Sequence, residues 1–359
     1  MPASRSFQIF IKPVGALCNL GCGYCYYLEK AGIPGGTSPS RMPDIVLEEY
    51  IVQHIEACPD RDIRFSWHGG EPTLLGLDTF RLIMDFQRRH CPPGRTIFNG
   101  IQTNGTLLTE NWGRFLADEG FVVGLSLDGP EDVHNRFRKD KKGRSTYKKT
   151  MRGYSILRRH GVPTDILCVV NSLNVFHPLN VYSFFREIGA NDVSFLPLVT
   201  PDPDRREKIS EGSVPARAFG QEHSLCIFRE TCGDIPVIEH NGDFYSCDHY
   251  VDKKHRIGNL IETSLVEMME SPQQRAFGRA KRDSLPAHCR RCEVLDMCNG
   301  ECPKNRFIRT PDGERGLNFL CEGYLRFFAH CRPFVQDVAA VWKLRDESNL
   351  KNPVKSIQK

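Results

Sequence analysis

At 359 residues, with 40% apolar and 26% charged side chains, the chain has room for one large core plus a second, small module. A formal net charge of +4 is small for this length and leaves no nucleic-acid or membrane footprint, and nowhere do about 18 apolar residues run together as a bilayer span requires. The N-terminus lacks the basic start and long apolar run of an export signal. The 15 cysteines therefore point to metal in a reducing cytoplasm and away from a disulfide framework.

In chain order, Phe7 to Ile11 reads as a short strand, which Pro13 and Gly15 break into a loop carrying Cys18, Cys22 and Cys25. Val46 to Ala57 has helical spacing, Ile63 to Trp67 is a strand ending in His68-Gly69-Gly70-Glu71-Pro72, and Leu77 to His90 is helical. Thr96 to Thr103 is a strand ending in Gln102-Thr103-Asn104-Gly105. The next helix takes Thr109 as N-cap, Trp112, Phe115 and Leu116 as its core face, and Gly120 as its stop. Phe121 to Leu127 is a strand running into Asp128-Gly129-Pro130. Tyr147 to His160 is helix and Asp165 to Val170 strand; Pro178 opens a helix closed by Gly189, and Val193 to Leu198 is the sixth strand. Six strands alternating with helices predict a parallel α/β sheet with its motifs on one edge, and periodicity leaves a partial barrel and a doubly wound sheet both open.

Pro201 to Gly220 turns to Pro, Arg, Asp, Glu and Ser without periodicity and reads as a linker. Beyond it stand Cys226, Cys232, Cys247, Cys289, Cys292, Cys298, Cys302 and Cys321. Val237 to Ser246 is predicted to be a hairpin about a type I′ turn at Asn241-Gly242, its return strand delivering Cys247 and Asp248. A zinc site remains the alternative for either cysteine group. Cys168 lies in an apolar strand and reads as core, while Cys58, Cys91 and Cys331 fit no pattern.

The C-x3-C-x2-C loop after a first strand is the signature of the radical S-adenosylmethionine (SAM) enzymes, and the chain resembles that superfamily. Its C-terminal run Cys289-x2-Cys292-x5-Cys298-x3-Cys302 with Cys321 resembles the SPASM domain. IKPVGALCNLGCGYCYYLEK, GGEPTLLG, QTNGTLL, VGLSLDGP, HNRFRKD and EHNGDFYSCDHYV extend the likeness to the anaerobic sulfatase-maturating enzymes over nearly the whole chain.

The resemblance implies a partial (β/α)6 TIM-like barrel over 1–200, a shortened linker over 201–225, a SPASM domain over 226–335 and a tail or helix over 336–359. It implies three [4Fe–4S] clusters and SAM: Cys18, Cys22 and Cys25 on the cluster whose fourth iron stays open for SAM; Cys226, Cys232, Cys247 and Cys302 on a first auxiliary cluster; Cys289, Cys292, Cys298 and Cys321 on a second. Tyr24, Gly70, Ser126, Arg138 and Val199 match positions around SAM, and Asp248 matches the catalytic carboxylate. His68 is given no role. The implied reaction converts a Cys or Ser of a sulfatase, in a Cys/Ser-x-Pro-x-Arg segment, to Cα-formylglycine, with flavodoxin or ferredoxin as electron donor. The alternatives are a SPASM maturase making thioether or carbon–carbon crosslinks in a ribosomal peptide, and a non-catalytic electron carrier or zinc-stabilised binding module. One departure from the family is the short stretch from Pro201 to Leu225, where members carry a longer segment that shapes the peptide cleft.

Overall fold

Strand order follows chain order. In the computed structural model, β1 (Phe10–Lys12), β2 (Asp62–Trp67), β3 (Thr96–Thr103), β4 (Val122–Ser126), β5 (Thr164–Val170) and β6 (Asp192–Pro197) lie side by side in that sequence, every neighbouring pair parallel. The connecting helices are α1 (Asp44–Ala57), α2 (Leu77–His90), α3 (Glu110–Asp118), α4 (Glu131–Phe137), α5 (Tyr147–Arg159) and α6 (Pro178–Glu187). A doubly wound sheet reverses its order at a switch point; this one advances strand by strand, the winding of a partial (β/α)6 barrel. The structure describes residues 2–27, 30, 41–199 and 225–351, with side chains to 337, so nearly all of the expected linker lies outside the described residues. Among the described residues no helix is long and apolar enough to cross a membrane.

The sheet does not stop at β1. A further strand, β7 (Val237–Glu239), pairs parallel with β1, and β8 (Asp243–Tyr245) and β9 (Arg256–Asn259) continue antiparallel to give nine strands among the described residues. The hairpin expected in the cysteine-rich module is thus an extension of the main sheet, followed by α7 (Leu265–Met269) and α8 (Pro272–Asp283). Its turn also differs from the expected type I′. Gly242 takes φ +87° while Asn241 is not at positive φ, and the Gly242 N–H bonds the Glu239 carbonyl at 2.9 Å. That is a type I turn closed by a left-handed glycine.

Contacts divide the chain into two compact units, one of residues 2–198 and 233–278, the other holding 225–232 and 279–351. In the first, α1 buries Leu47, Tyr50, Ile51 and His54, and the Tyr50 ring stands edge-on to Phe65 at 5.7 Å and to Trp67 at 6.2 Å. The Trp67 indole donates to Asn99 Oδ1 at 2.8 Å and the Asn99 amide donates to Gln87 at 2.7 Å, so the indole and its two amide neighbours satisfy one another, while the Tyr50 hydroxyl is buried without a partner. Thr109 caps α3 as expected, its hydroxyl accepting from the Trp112 N–H at 3.5 Å.

The second unit contains α9 (Ala287–Arg290), α10 (Leu295–Cys298), the hairpin β10 (Ile308–Arg309) and β11 (Arg315–Leu317), and α11 (Cys321–Lys351). Leu285, Cys289 and Leu317 form its small core, and Phe228 stands edge-on to Tyr324 and Phe328. Position 336, the expected start of the tail, falls inside α11.

Gly153, in mid-α5, sets propensity against packing. Alanine there would favour the helix by about 0.8–1 kcal/mol, but its Cβ would lie 2.2 Å from the Gly105 carbonyl oxygen in the Gln102–Gly105 turn. Gly153→Ala is expected to lose about 1–3 kcal/mol net, read as a lower urea midpoint of the apoprotein. A higher midpoint would show that α5 moves freely away from the turn.

Candidate active site

The cysteine loop leaves β1 at the edge where the parallel strands end, and main-chain bonds hold it on two sides. On one side the Gly70 and Glu71 N–H groups donate to the Gly15 and Leu17 carbonyls at 2.8 and 2.9 Å; on the other the Gly21 and Gly23 N–H groups donate to Lys139 and Phe137 at 2.8 and 3.0 Å. A Cβ on Gly70 would lie 2.1 Å from the Leu17 carbonyl oxygen, so this glycine is required by the closeness of the loop itself. Cys18, Cys22 and Cys25 are half-buried, and the first two thiols each sense the charge of their neighbours. Burial pushes Cys18 up to about 12 and Cys22 up to about 11, so both carry protons until a metal displaces them. Three soft sulfur donors sharing one loop fit an iron–sulfur cluster.

Beneath this loop Glu71 is fully buried. Its carboxylate accepts from the Thr73 N–H and hydroxyl at 3.1 and 2.6 Å, the Thr103 hydroxyl at 2.6 Å and the Asn104 N–H at 2.8 Å. The Asn104 amide in turn donates to Asn19 Oδ1 at 2.9 Å, between Cys18 and Cys22. Neither Glu71 nor Asn104 is assigned from sequence, although both lie in polar segments directly after strands.

Tyr24 and Arg138, expected around SAM, meet over a third residue. Arg138 Nε and Nη2 each donate to a separate oxygen of buried Asp128 at 3.0 Å, and the Tyr24 hydroxyl donates to the same carboxylate at 2.5 Å. Burial opposes the charge of Arg138, but Asp128 holds its proton affinity above the ordinary value. Ser126 is buried at the end of β4, two residues before Asp128. Val199 is half-buried just past β6 and is grouped with the second unit.

Asp248 is buried and ionised. Lys12, at the end of β1 and only 2% exposed, places its ammonium 2.7 Å from one carboxylate oxygen, and the Tyr26 hydroxyl donates to the other. Burial works against the charge, yet the Lys12 ammonium, His249 and these hydrogen bonds together hold the carboxyl well below its usual range. Lys30 donates to the Asp248 main-chain oxygen. His68 stacks on Phe10 at 4.1 Å and senses both Lys12 and Asp248; burial, then Lys12, bring it down to about 3, so it is neutral. The sequence reading misses Lys12, whose only signal is a charge at the end of an otherwise apolar strand.

In the second unit the thiols fall into two electrostatic groups. Cys289, Cys298 and Cys321 influence one another, with Cys292 acting on Cys289 and Cys321. Cys302 senses Cys232, and Lys281 senses Cys226, Cys232 and Cys302. Burial pushes Cys298 and Cys302 up to about 12. Cys247 follows β8 in the first unit. Cys168 is fully buried in β5, as its apolar setting predicts.

Comparison with known proteins agrees with this arrangement. The Radical SAM superfamily profile matches residues 13–185, and that of an iron-sulfur cluster-binding domain, SPASM, matches 230–293. The chain is 38% identical to the serine-type anaerobic sulfatase-maturating enzyme of Bacteroides thetaiotaomicron over 379 residues, covering 93% of this chain and 91% of the relative. It is 31% identical to a cysteine-type enzyme of Clostridium perfringens, covering 92% and 98%. A solved structure of native anSMEcpe with bound AdoMet and Kp18Cys peptide superposes with a TM-score of 0.80 at 30% identity, over 94% of this chain and 99% of that one.

Removing one member of a buried ion pair strands its partner at about 3–5 kcal/mol. Lys12→Met is expected to lower apoprotein stability by that order, and Lys12→Met combined with Asp248→Asn to recover most of it. Urea unfolding of the single and double variants checks this; strictly additive losses would mean that the two groups are not coupled.

Proposed function

The chain belongs to the radical SAM superfamily and, within it, to the anaerobic sulfatase-maturating enzymes, and from that membership we propose that it oxidises the Cβ of a cysteine or serine in a sulfatase polypeptide to give Cα-formylglycine. Its cofactors are SAM and three [4Fe–4S] clusters. When bound, they supply hydrogen-atom abstraction at the SAM site and electron acceptance in the SPASM region. In this reading Cys18, Cys22 and Cys25 hold the cluster that carries SAM, with Tyr24, Gly70, Ser126, Arg138 and Val199 around it. Cys226, Cys232, Cys247 and Cys302 hold the first auxiliary cluster, and Cys289, Cys292, Cys298 and Cys321 the second. The two electrostatic groups of thiols support that partition for the seven of these cysteines that lie in the second unit, while Cys247 is assigned from the family resemblance.

One observation carries the reading. The hydrogen bond from Tyr26 to Asp248 joins the residue beside Cys25 to the residue beside Cys247, so an ionised carboxylate stands between the two cysteine-bearing loops of the first unit. Asp248 receives the proton of the substrate thiol or hydroxyl, which must leave as the Cβ is oxidised. Lys12 and Tyr26 aim its oxygens, and neutral His68 adds no competing charge. Flavodoxin or ferredoxin supplies the reducing electron, and the reaction is placed in the cytoplasm, where clustered thiols stay reduced.

The test is anaerobic reconstitution with peptides of the Cys-x-Pro-x-Arg and Ser-x-Pro-x-Arg types, read by mass spectrometry. Formylglycine is expected from at least one; a crosslinked product that keeps its sulfur would overturn the assignment. Asp248→Asn is expected to keep 5′-deoxyadenosine formation and lose formylglycine by about a hundredfold or more. Full product yield from that variant would remove Asp248 from proton transfer.

A further inference from the structure

Cys298 and Cys302 are only four residues apart, yet their thiols fall into different electrostatic groups. The chain between them is left-handed throughout: Asn299 has φ 47°, Gly300 φ 67° and Glu301 φ 52°. A side-chain-bearing residue is strained in that conformation, so the turn persists only if its surroundings hold it there.

Arg306 supplies much of that hold. Its Nε donates to the Gly300 carbonyl at 2.8 Å, and its Nη2 donates to the Asn299 and Glu301 carbonyls at 3.0 and 3.1 Å. Its Nη1 donates to the Lys281 carbonyl. One planar fork therefore caps all three carbonyls of the turn, a geometry that lysine cannot reproduce. Gly300 makes the approach possible, because a Cβ there would lie 2.7 Å from Arg306 Nη2. The Glu301 carboxylate, buried, is held by the amides of Asn305 and Asn318, and the Asn299 amide by the Phe228 carbonyl.

The placement of charge points the same way. Arg306 acts on Cys289 and Cys298 of one group and on Cys232 and Cys302 of the other. Lys281, 1% exposed and bonded to the Cys226 and Ile227 carbonyls at 2.9 and 2.7 Å, acts chiefly on Cys226, Cys232 and Cys302 among the thiols. A thiolate-ligated cluster becomes more negative on reduction, so a fixed cation beside it favours the reduced state.

We propose that Arg306 is a positioning residue for both auxiliary clusters: its guanidinium locks the left-handed turn that sends Cys298 and Cys302 to different clusters, and its charge eases the reduction of each. The proposal rests on the reading that the cysteines of this region hold two clusters. Lys281 is the internal contrast, a cation whose leading thiol partners all belong to one group.

The experiment compares the parent holoenzyme with Arg306→Gln, Arg306→Lys and Lys281→Met by iron and sulfide analysis and by EPR-monitored redox titration. Signals perturbed by SAM mark the N-terminal cluster, and those indifferent to SAM mark the auxiliary ones. In Arg306→Gln both SAM-indifferent couples are expected to shift about tenfold against reduction, ~59 mV for a one-electron couple. Lys281→Met shifts one of them. Arg306→Lys keeps the charge without the fork, so its potentials return toward the parent while its auxiliary iron is retained roughly ten- to hundredfold less tightly against chelator. Should Arg306→Gln bind too little auxiliary iron to titrate, Arg306→Lys decides: parent potentials support the proposal, and potentials displaced about tenfold overturn it. Parent iron retention and parent potentials in Arg306→Gln would also overturn it. A parent protein with fewer than two SAM-indifferent clusters would overturn the two-cluster reading first.

Discussion

The loop that carries Cys18, Cys22 and Cys25 has almost no secondary structure, and it keeps its shape because one carboxylate beneath it is buried and saturated with donors. Glu71 joins the end of β2 to the end of β3 through Thr103 and Asn104, while its own N–H holds the Leu17 carbonyl. A buried carboxylate left short of donors would be strongly destabilising, so the three segments are obliged to meet in one arrangement. Gly70 removes the Cβ that would push them apart. The thiols therefore arrive at a position set by the sheet edge, and burial keeps Cys18 and Cys22 protonated until a metal displaces their protons.

The same logic recurs wherever the molecule buries charge. Asp128 takes both arms of Arg138 and the hydroxyl of Tyr24, Asp248 takes Lys12 and Tyr26, and the thiol groups of the second unit face Lys281 and Arg306. The two carboxylates are each matched by a cation whose own position is fixed, Arg138 at the end of α4 and Lys12 at the end of β1. Matching of that kind adds little net stability, because desolvation offsets much of the attraction. It yields fixed fields of known sign at the places where the proposed reaction moves electrons and protons.

The strands and helices of the barrel were legible because apolar spacing and the capping residues agree, as at Thr109, Pro178 and Gly189. The cysteine motifs were legible because their intervals carry the chemistry. What escaped depends on partners far away in the chain. Helix α4 is too short for its period to register, and the pairing of β7 with β1 joins residues more than two hundred positions apart. Lys12, Glu71 and Arg306 each look like an ordinary surface charge until the fold brings their partners in. The hairpin turn differed for a local reason: Asn241-Gly242 suits a type I′ turn, but His240 joins the loop and Gly242 alone takes the left-handed position.

A strongly ionised Asp248 is at first sight a poor base, since the partners that hold its charge also lower its appetite for a proton. The proposed reaction removes that objection. A thiol or hydroxyl on a carbon that has lost a hydrogen atom is far more acidic than the resting side chain, so the acceptor need not be strong. It must be deprotonated, correctly aimed and unable to take a proton from solvent beforehand. Lys12 and Tyr26 secure all three, and the Tyr26 hydroxyl is the contact that an incoming substrate could replace, because Tyr26 as a residue is 45% exposed while Lys12 is sealed in. The carboxylate would then exchange one hydroxyl donor for the substrate's own S–H or O–H, keeping its ion pair throughout the oxidation.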